Sequence, residues 1–586
     1  MTTGLHTAVG EVVSPPATAH HHNFEAPHHT RLGNLGAEMI AALAGTAFSA
    51  VLLIIAAAHA GPLWRDETNT MNMALMPSLK ALWSNMQFES FPPLWPLILR
   101  GLTFLGLTRS DAGIRTLGLC VGLLFLVSLW LCARWMGNRA PTLSVALLGA
   151  LPAMVFVVGA NRAYGLASCL LVFSFGMIWR MLQLPSAPRI LGAGIVCLLF
   201  AHCLYYDVIF LCAMLFAGAV VAIRRREWRT VWSLSGIGGV AGASMAIYLP
   251  ITLRTTNVLP MIRAPFFRAS AVWYGLARAV ADRSSSRPGT PGSQIWIWVF
   301  LVLAALVVAL TMQRVNGRQT HDGHPVAASA GDARRDLALF CLISLSFGLA
   351  GFFFFLVKLR FFLQIWYYIG SLSLCAVSLD GILNAGWPSL APWGLMRIGF
   401  MVVMMILTAG SAWQEAHTRR SNVDLAASVL QHDASPGDLI VLQDAWEGIT
   451  FDRYYHGDAR WVTIPPIDSH KVHRTDLVMA EISRGDPMAP VLDSITKTLE
   501  SNHSVWVVGS MRLVRLKSPL RAPPPSELPT GWWLGTYLSL WNAEVSAQLF
   551  DHARLGQVVQ LAETGPVSYF ENVSLIRFSG YRSDVK

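Results

Sequence analysis

Two stretches in the first hundred residues carry acids where a lipid-bound chain has reason to avoid them. Trp64-Arg65-Asp66-Glu67-Thr68 follows the apolar run 39–60, and Phe88-Glu89-Ser90-Phe91-Pro92-Pro93-Leu94-Trp95 follows at short distance. Adjacent carboxylates at a membrane surface are costly to hold. Asp66 and Glu67 therefore read either as groups kept for chemistry or as a solvated helix cap and first turn. Glu89 reads as an acid that holds an acceptor or a metal, or as a plain surface carboxylate. Three cations stand at the ends of later apolar runs: Arg162 in Asn161-Arg162-Ala163-Tyr164-Gly165, and Lys358 and Arg360 in Lys358-Leu359-Arg360. They can neutralise an anion at the membrane surface or snorkel at the span ends. Tyr164, Trp366 and Tyr367 suit an interfacial aromatic belt or a wall against a bound sugar or lipid. His202 and Asp207 fall where burial is expensive unless they pair, with each other or with Tyr206.

The elements that must position these groups are set by composition. The 586 residues are 54% hydrophobic and 13% charged, with 21 Trp and 28 Phe; soluble domains carry roughly 25% charge. A soluble chain of this size could not hide so much apolar surface, and disorder or a disulfide-stapled module is excluded as well. The net charge of +10 is dispersed between apolar segments, as in loops beside a bilayer, and no polar face gathers it for nucleic acid. The eight cysteines lie in or beside apolar runs and read as small buried side chains. The chain is expected to be a polytopic membrane protein, mostly α-helical.

Eleven runs have the length a membrane helix needs: 39–60, 115–134, 141–159, 163–181, 190–205, 206–223, 231–252, 293–312, 337–357, 367–384 and 395–413. A twelfth, 93–107, opens with two prolines and carries Arg100. If it lies at the interface without crossing, the basic turns Arg134–Arg139, Arg180–Arg189, Arg224–Arg229 and Arg314–Arg335 share one face with the N-terminus, as the positive-inside rule requires. Residues 1–37 are polar with no apolar core and read as a disordered cytoplasmic tail without a cleavable signal. Residues 38–413 form the membrane domain. Residues 414–586 form an outer α/β domain, with helices over Asp424–His432 and Pro490–Glu500 and strands at Leu439–Leu442, Val505–Val508 and Ser574–Phe578. Pro523–Pro525 opens a less regular, Trp-rich stretch containing Gly531-Trp532-Trp533.

An apolar span, then "W-x-D-E", then "P-P-L" and an interfacial helix resembles the opening of C-type membrane glycosyltransferases. The branch it resembles holds the protein O-mannosyltransferases and the lipid A aminoarabinose transferase. Asn161–Gly165 resembles that branch's "R-x-Y", His202–Tyr206 its "H-x-x-Y-Y", and Lys358–Tyr367 its basic and aromatic outer loop. The resemblance implies inverting transfer of a sugar from a polyprenyl-phosphate carrier to the hydroxyl of a glycan, lipid or protein acceptor. It makes Asp66 the catalytic base and has Glu67 orient that base or the acceptor. Arg162, Lys358 and Arg360 would meet the lipid phosphate, with Tyr164, Trp366, Tyr367, Glu89, His202 and Asp207 completing the substrate site. A carboxylate in reach of a hydroxyl can take its proton as attack develops, and fixed cations can offset a leaving phosphate. No cofactor is firmly implied; a divalent metal stays open.

The pattern departs from the branch in three places. Ala160 stands where many relatives have an acid, Phe91 stands where protein mannosyltransferases have a histidine, and their large inserted domain is missing, the longest loop between spans being 254–292. That loop is arginine-rich and can gate a cavity or meet anionic headgroups. The expected setting is a bacterial inner membrane with the C-terminal domain periplasmic. The competing function is a lipid or sugar transporter or flippase without covalent transfer, which would be expected to show repeated halves and charges within its spans. A scaffold that presents residues 414–586 to a partner is the third.

Overall fold

The computed structural model describes residues 28–255, 267–281, 294–314, 330–360, 364–386, 391–511, 514 and 534–583. Helix α1 (His28–His59) begins inside the stretch expected to be a disordered tail, because no proline after Pro27 interrupts it. It ends just before three short helices, α2 (Arg65–Ala74), α3 (Leu79–Asn85) and α4 (Leu94–Phe104). Then come α5 (Asp111–Trp135), α6 (Thr142–Leu148), α7 (Pro152–Val158), α8 (Ala163–Gln183) and α9 (Ala187–Ala201). The membrane part closes with α10 (Asp207–Arg224), α11 (Trp228–Met245), α12 (Leu249–Thr255), α13 (Ala269–Ala281), α14 (Ile295–Arg314), α15 (Ala330–Leu359), α16 (Ile369–Gly386) and α17 (Ala391–Ala416).

Nine helices among the described residues are long and apolar enough to cross a membrane. The other two expected spans take different forms. Residues 141–159 fold as α6 and α7, broken at Gly149–Leu151, because Pro152 opens α7 and has no N–H to continue a helix through that point. Residues 190–205 fold as the shorter α9, which carries proline in its first turn and ends before His202. Both segments still run from one end of the bundle to the other. Thr142 bonds Glu38 at the start of α1, and Asn161 bonds Glu67 beyond its end.

Chain direction sorts the two ends. One end holds the close of α1, the starts of α5, α8 and α10, and the close of α15 and α17. The other holds the arginine-rich turns, where Arg224 and Arg225 pair with Asp336. The segment 93–107 does not pass between them: α4 leaves and re-enters the first end, and Arg100 caps carbonyls of Ala74 and Met76. This agrees with a helix lying along the interface.

The C-terminal domain is a five-stranded mixed sheet, order β2-β1-β3-β5-β4, with helices on both faces. Its elements are α18 (Val423–Asp433), β1 (Leu439–Leu442), α19 (Glu447–Tyr454), β2 (Arg460–Thr463), α20 (Thr475–Ile482), α21 (Ala489–Glu500), β3 (Val505–Val508), α22 (Leu534–His552), β4 (Ala553–Val559) and β5 (Leu575–Tyr581). Central strands β1 and β3 pair in parallel and are buried at every residue, as covering on both faces demands. The stretch after the prolines, expected to be irregular, contains the long helix α22. Pro523–Pro525 and Gly531–Trp533 lie outside the described residues.

Candidate active site

Helix α2 is polar yet mostly buried: Glu67, Thr68, Asn69 and Thr70 are all sequestered. What lets so polar a helix be covered is that its polar atoms find partners. Glu67 Oε1 accepts from Arg115 Nη1 at 2.7 Å and from the Asn161 N–H at 2.8 Å, and its Oε2 faces the Trp64 N–H at 3.4 Å. The Glu67 side chain has no exposure. It ties α2 to α5 and to the α7–α8 turn, and its oxygens are closed off from solvent. The turn can come this close because Gly118 and Gly165 are small: a Cβ on either would sit 2.2 or 2.3 Å from the Gly159 or Val158 carbonyl oxygen.

Arg162, at the N-cap of α8, is the second strut. Its Nη1 donates to the Asp66 carbonyl (2.9 Å), Thr70 Oγ1 (2.8 Å) and Glu89 Oε1 (3.0 Å), and its Nη2 donates to Ser90 Oγ (3.0 Å). The guanidinium lies 4.6 Å from the centre of the Phe91 ring. Glu89 also accepts from Asn69 and Thr70, both at 2.9 Å. Arg162 and Glu89 are thus a buried, hydrogen-bonded pair, the arrangement in which opposite charges survive away from water. The surface roles expected of them are occupied by each other.

Asp66 is different. Its carboxylate is 18% exposed and is ringed by His473 Nε2 at 3.6 Å, Arg162 Nη2 at 3.7 Å and Arg65 Nε at 3.8 Å. None of these closes a hydrogen bond, so the oxygens keep lone pairs open to a further donor. His473 comes from the C-terminal domain, in a strap laid along α2: its N–H donates to Asn69 Oδ1 at 2.9 Å, and Asn72 donates to the Lys471 carbonyl at 2.7 Å. Its ring stands edge-on to Trp446. Burial pushes His473 down to about 4, against the opposing pull of Asp66, so it faces Asp66 as a neutral imidazole at neutral pH.

The aromatic residues form a joint. Trp366 packs 5.0 Å from Phe570 and 5.7 Å from Trp64, and Tyr164 stands 6.3 Å from both Trp366 and Tyr367. Trp366 and Tyr164 are buried; they weld the bundle, α2 and the C-terminal domain together. Asp207 lies next door, lining a small recess with Tyr164, Tyr206 and Trp366, its Oδ2 buried without a partner. His202 pairs with neither Asp207 nor Tyr206: it bonds Tyr248 at 2.5 Å and Ser244 at 3.0 Å, at the close of α11 and just beyond it. Lys358 is exposed at the close of α15, 5.4 Å from the Phe354 ring. Arg360 is half-buried just beyond it, with a left-handed φ of 50°.

Sequence reading missed His473, Arg115 and the acids around Arg65. Glu571 accepts from the Arg65 N–H at 3.2 Å and from Thr450 at 2.8 Å. Asp444 and Glu447 add their charge to the same arginine. Burial raises all three carboxylates, Glu571 to about 7. Arg115 was legible as a charge inside the apolar run 115–134; His473 carried no local signal. No group of three or more His, Cys, Asp or Glu among the described residues is arranged to hold a metal ion.

No family model and no curated protein matches the chain. Solved structures do match in shape. The Archaeoglobus fulgidus oligosaccharyltransferase in complex with Zn and sulfate is 11% identical, covering 91% of this chain and 73% of its own, with a TM-score of 0.48. The same enzyme in complex with an inhibitory peptide and a dolichol-phosphate is 10% identical, covering 93% and 74%, with a TM-score of 0.45. The Cupriavidus metallidurans ArnT bound to undecaprenyl phosphate is 15% identical, covering 90% and 97%, with a TM-score of 0.32.

Proposed function

We propose that the chain is an inverting glycosyltransferase that moves a sugar from a polyprenyl-phosphate carrier to an acceptor hydroxyl. The reaction takes place at the membrane face that carries the C-terminal domain. One observation carries the reading: beside the buried, bonded pairs of Glu67 and Glu89, the Asp66 carboxylate stands partly open, ringed at 3.6–3.8 Å by three nitrogens that do not bond it. Asp66 takes the proton of the acceptor hydroxyl as its oxygen bonds C1 of the sugar. The C1–O bond breaks with its electron pair passing to the carrier phosphate, and a single displacement inverts the anomeric centre. His473, neutral beside Asp66, holds the hydroxyl on its other side.

Because Arg162 is committed to Glu89, the phosphate falls to Lys358 and Arg360 at the close of α15, with Arg65 nearest Asp66. The carrier's tail has a place beneath them. A cavity of about 320 Å³ between α13, α14, α15 and α16 is lined by Val272, Trp298, Phe352, Leu356, Tyr368 and Leu372, wholly suited to a prenyl chain. The separation of basic turns from this end supports a position for it outside the cytoplasm, in a bacterial inner membrane the periplasm.

The test is transfer by purified protein from a polyprenyl-phosphate-linked sugar, with the product's anomeric configuration read by NMR. Transfer with inversion that vanishes in Asp66→Asn supports the proposal. Retained configuration, or full turnover by that variant, refutes it. Uptake of the sugar into liposomes without a new bond would establish the transporter instead.

A further inference from the structure

At the end of the bundle opposite Asp66, a recess of about 180 Å³ opens where the start of α1, the α5–α6 turn, the starts of α15 and α17 and the close of α16 converge. Its charged lining is Arg139, Arg334 and Arg397 against a single acid, Glu38. That acid is already saturated: Arg397 holds it with Nε at 2.7 Å and Nη2 at 3.0 Å, and Thr142 donates to it at 3.0 Å. Arg139 and Arg334 are exposed at the rim, and neither makes an ion pair among the described residues. The side-chain Nδ2 of Asn138 is buried in the turn with no acceptor. A buried donor left unmade is costly, and here it stands beside the recess where an outside acceptor could satisfy it. The rest of the wall holds Asn384, whose Nδ2 donates to Asp380 at 3.2 Å, and an apolar side of Met39, Met136, Leu337 and Ala385.

Two free guanidinium groups, an orphan amide donor and a fixed Arg–Glu floor specify a tetrahedral, multiply accepting anion. The apolar wall at the membrane boundary specifies that the anion is attached to a hydrocarbon. We propose that this recess binds the phosphate of an anionic phospholipid headgroup, its acyl chains lying along the apolar side, and so anchors the helix ends that meet there. The inference does not depend on the transfer reaction.

The experiment is native mass spectrometry and thermal melting of the full chain in detergent, with added phosphatidylglycerol, phosphatidylcholine or inorganic phosphate. Phosphatidylglycerol is expected to be retained and to raise the melting temperature, phosphatidylcholine far less. Arg139→Ala with Arg334→Ala should weaken that retention about 30-fold, each basic residue near the headgroup being worth about a factor of five. Asn138→Asp, which places a like charge against the phosphate, should weaken it in a chain whose rim arginines are intact. Inorganic phosphate that reproduces the whole shift, with loss in the same variants, keeps the site and replaces its source by free phosphate. Equal retention of both lipids, or retention unchanged in the double variant and in Asn138→Asp, overturns the proposal.

Discussion

The two ends of the helical bundle handle charge in opposite ways. At the Asp66 end, acids and bases are drawn inward and neutralised within the protein: Glu67 by Arg115, Glu89 by Arg162, Asp111 by Arg453. The C-terminal domain then covers them. At the other end arginines outnumber acids, and most stand at the rim, with Asp336 and Glu38 pairing a few. The first pattern costs desolvation at every charge and is tolerable only if nearly all are bonded; the second costs little because water and headgroups do the solvating. An end built at such cost has a reason for it. The reason points to Asp66, whose carboxylate is left 18% exposed among nitrogens that do not bond it.

The sharpest way to break this contrast is to change the adjacent acids of α2 one at a time. Asp66→Asn is isosteric and removes no hydrogen bond, so the melting temperature should hold while transfer falls by about 10²–10⁴-fold, the range for loss of a general base. Glu67→Ala should do the reverse in kind. It leaves Arg115 buried and unpaired, costing about 3–5 kcal/mol, seen as a lower melting temperature and poor recovery from the membrane. If both variants lose activity with equally intact folds, the division between a reacting and a supporting carboxylate fails.

His473 sharpens the comparison from the soluble side. Replacing it by Phe keeps an aromatic edge against Trp446 but removes the nitrogen facing Asp66. The expected loss in kcat/KM for the acceptor is about 10-fold, one hydrogen bond's worth, with KM for the donor unchanged. Because burial holds His473 to about 4, the wild-type rate should show no rising limb near pH 6.5 from this histidine. A limb there that disappears in His473→Phe would mean the imidazole titrates in the open.

The sequence made the span pattern legible because hydropathy needs only a window of apolar residues, and the strands Leu439–Leu442 and Val505–Val508 because strands buried on both faces read as unbroken apolar runs. It gave no sign of β2, whose Arg460-Trp461-Val462-Thr463 is half-exposed, nor of α22, where the Trp-rich composition concealed a helical face. At the site, Asp66, Arg162 and Glu89 could be singled out because charges beside apolar runs are rare enough to notice, and Tyr164 because it stands with Arg162 at the head of a span. Which of them would be locked to which could not. Partners such as Glu67 and Arg115 are 48 positions apart, and His473 meets Asn69 across 404. The pairing of His202 with Tyr248 and Ser244, rather than with Asp207, is decided by the packing of neighbouring spans and has no local signature.

The smallest expected effect concerns the seam between the domains. Glu571 ordinarily titrates near 4.5, but burial raises it to about 7 against the opposing pull of Ser421, Arg65 and Thr450. Across that window the folded chain keeps a proton that the unfolded chain has lost, so stability falls as pH rises from about 4.5 through 7. Asp444 and Glu447, raised by the same burial, push in the same direction. Glu571→Gln should retain acceptance from Thr450 and from the Arg65 N–H while removing its share of the fall. Its melting temperature relative to wild type should therefore climb between pH 5 and pH 8, by about 2–4 °C for each kcal/mol relieved. His473 runs the opposite way: held to about 4, it is protonated in the unfolded chain first, and its contribution favours the folded state as pH rises from about 4 to 6.5. The two windows overlap, so the slopes separate by sign and by variant. A flat difference for Glu571→Gln across both would mean that Arg65 already keeps the Glu571 carboxylate ionised, and that the seam is as fully neutralised as the Glu67–Arg115 strut beneath it.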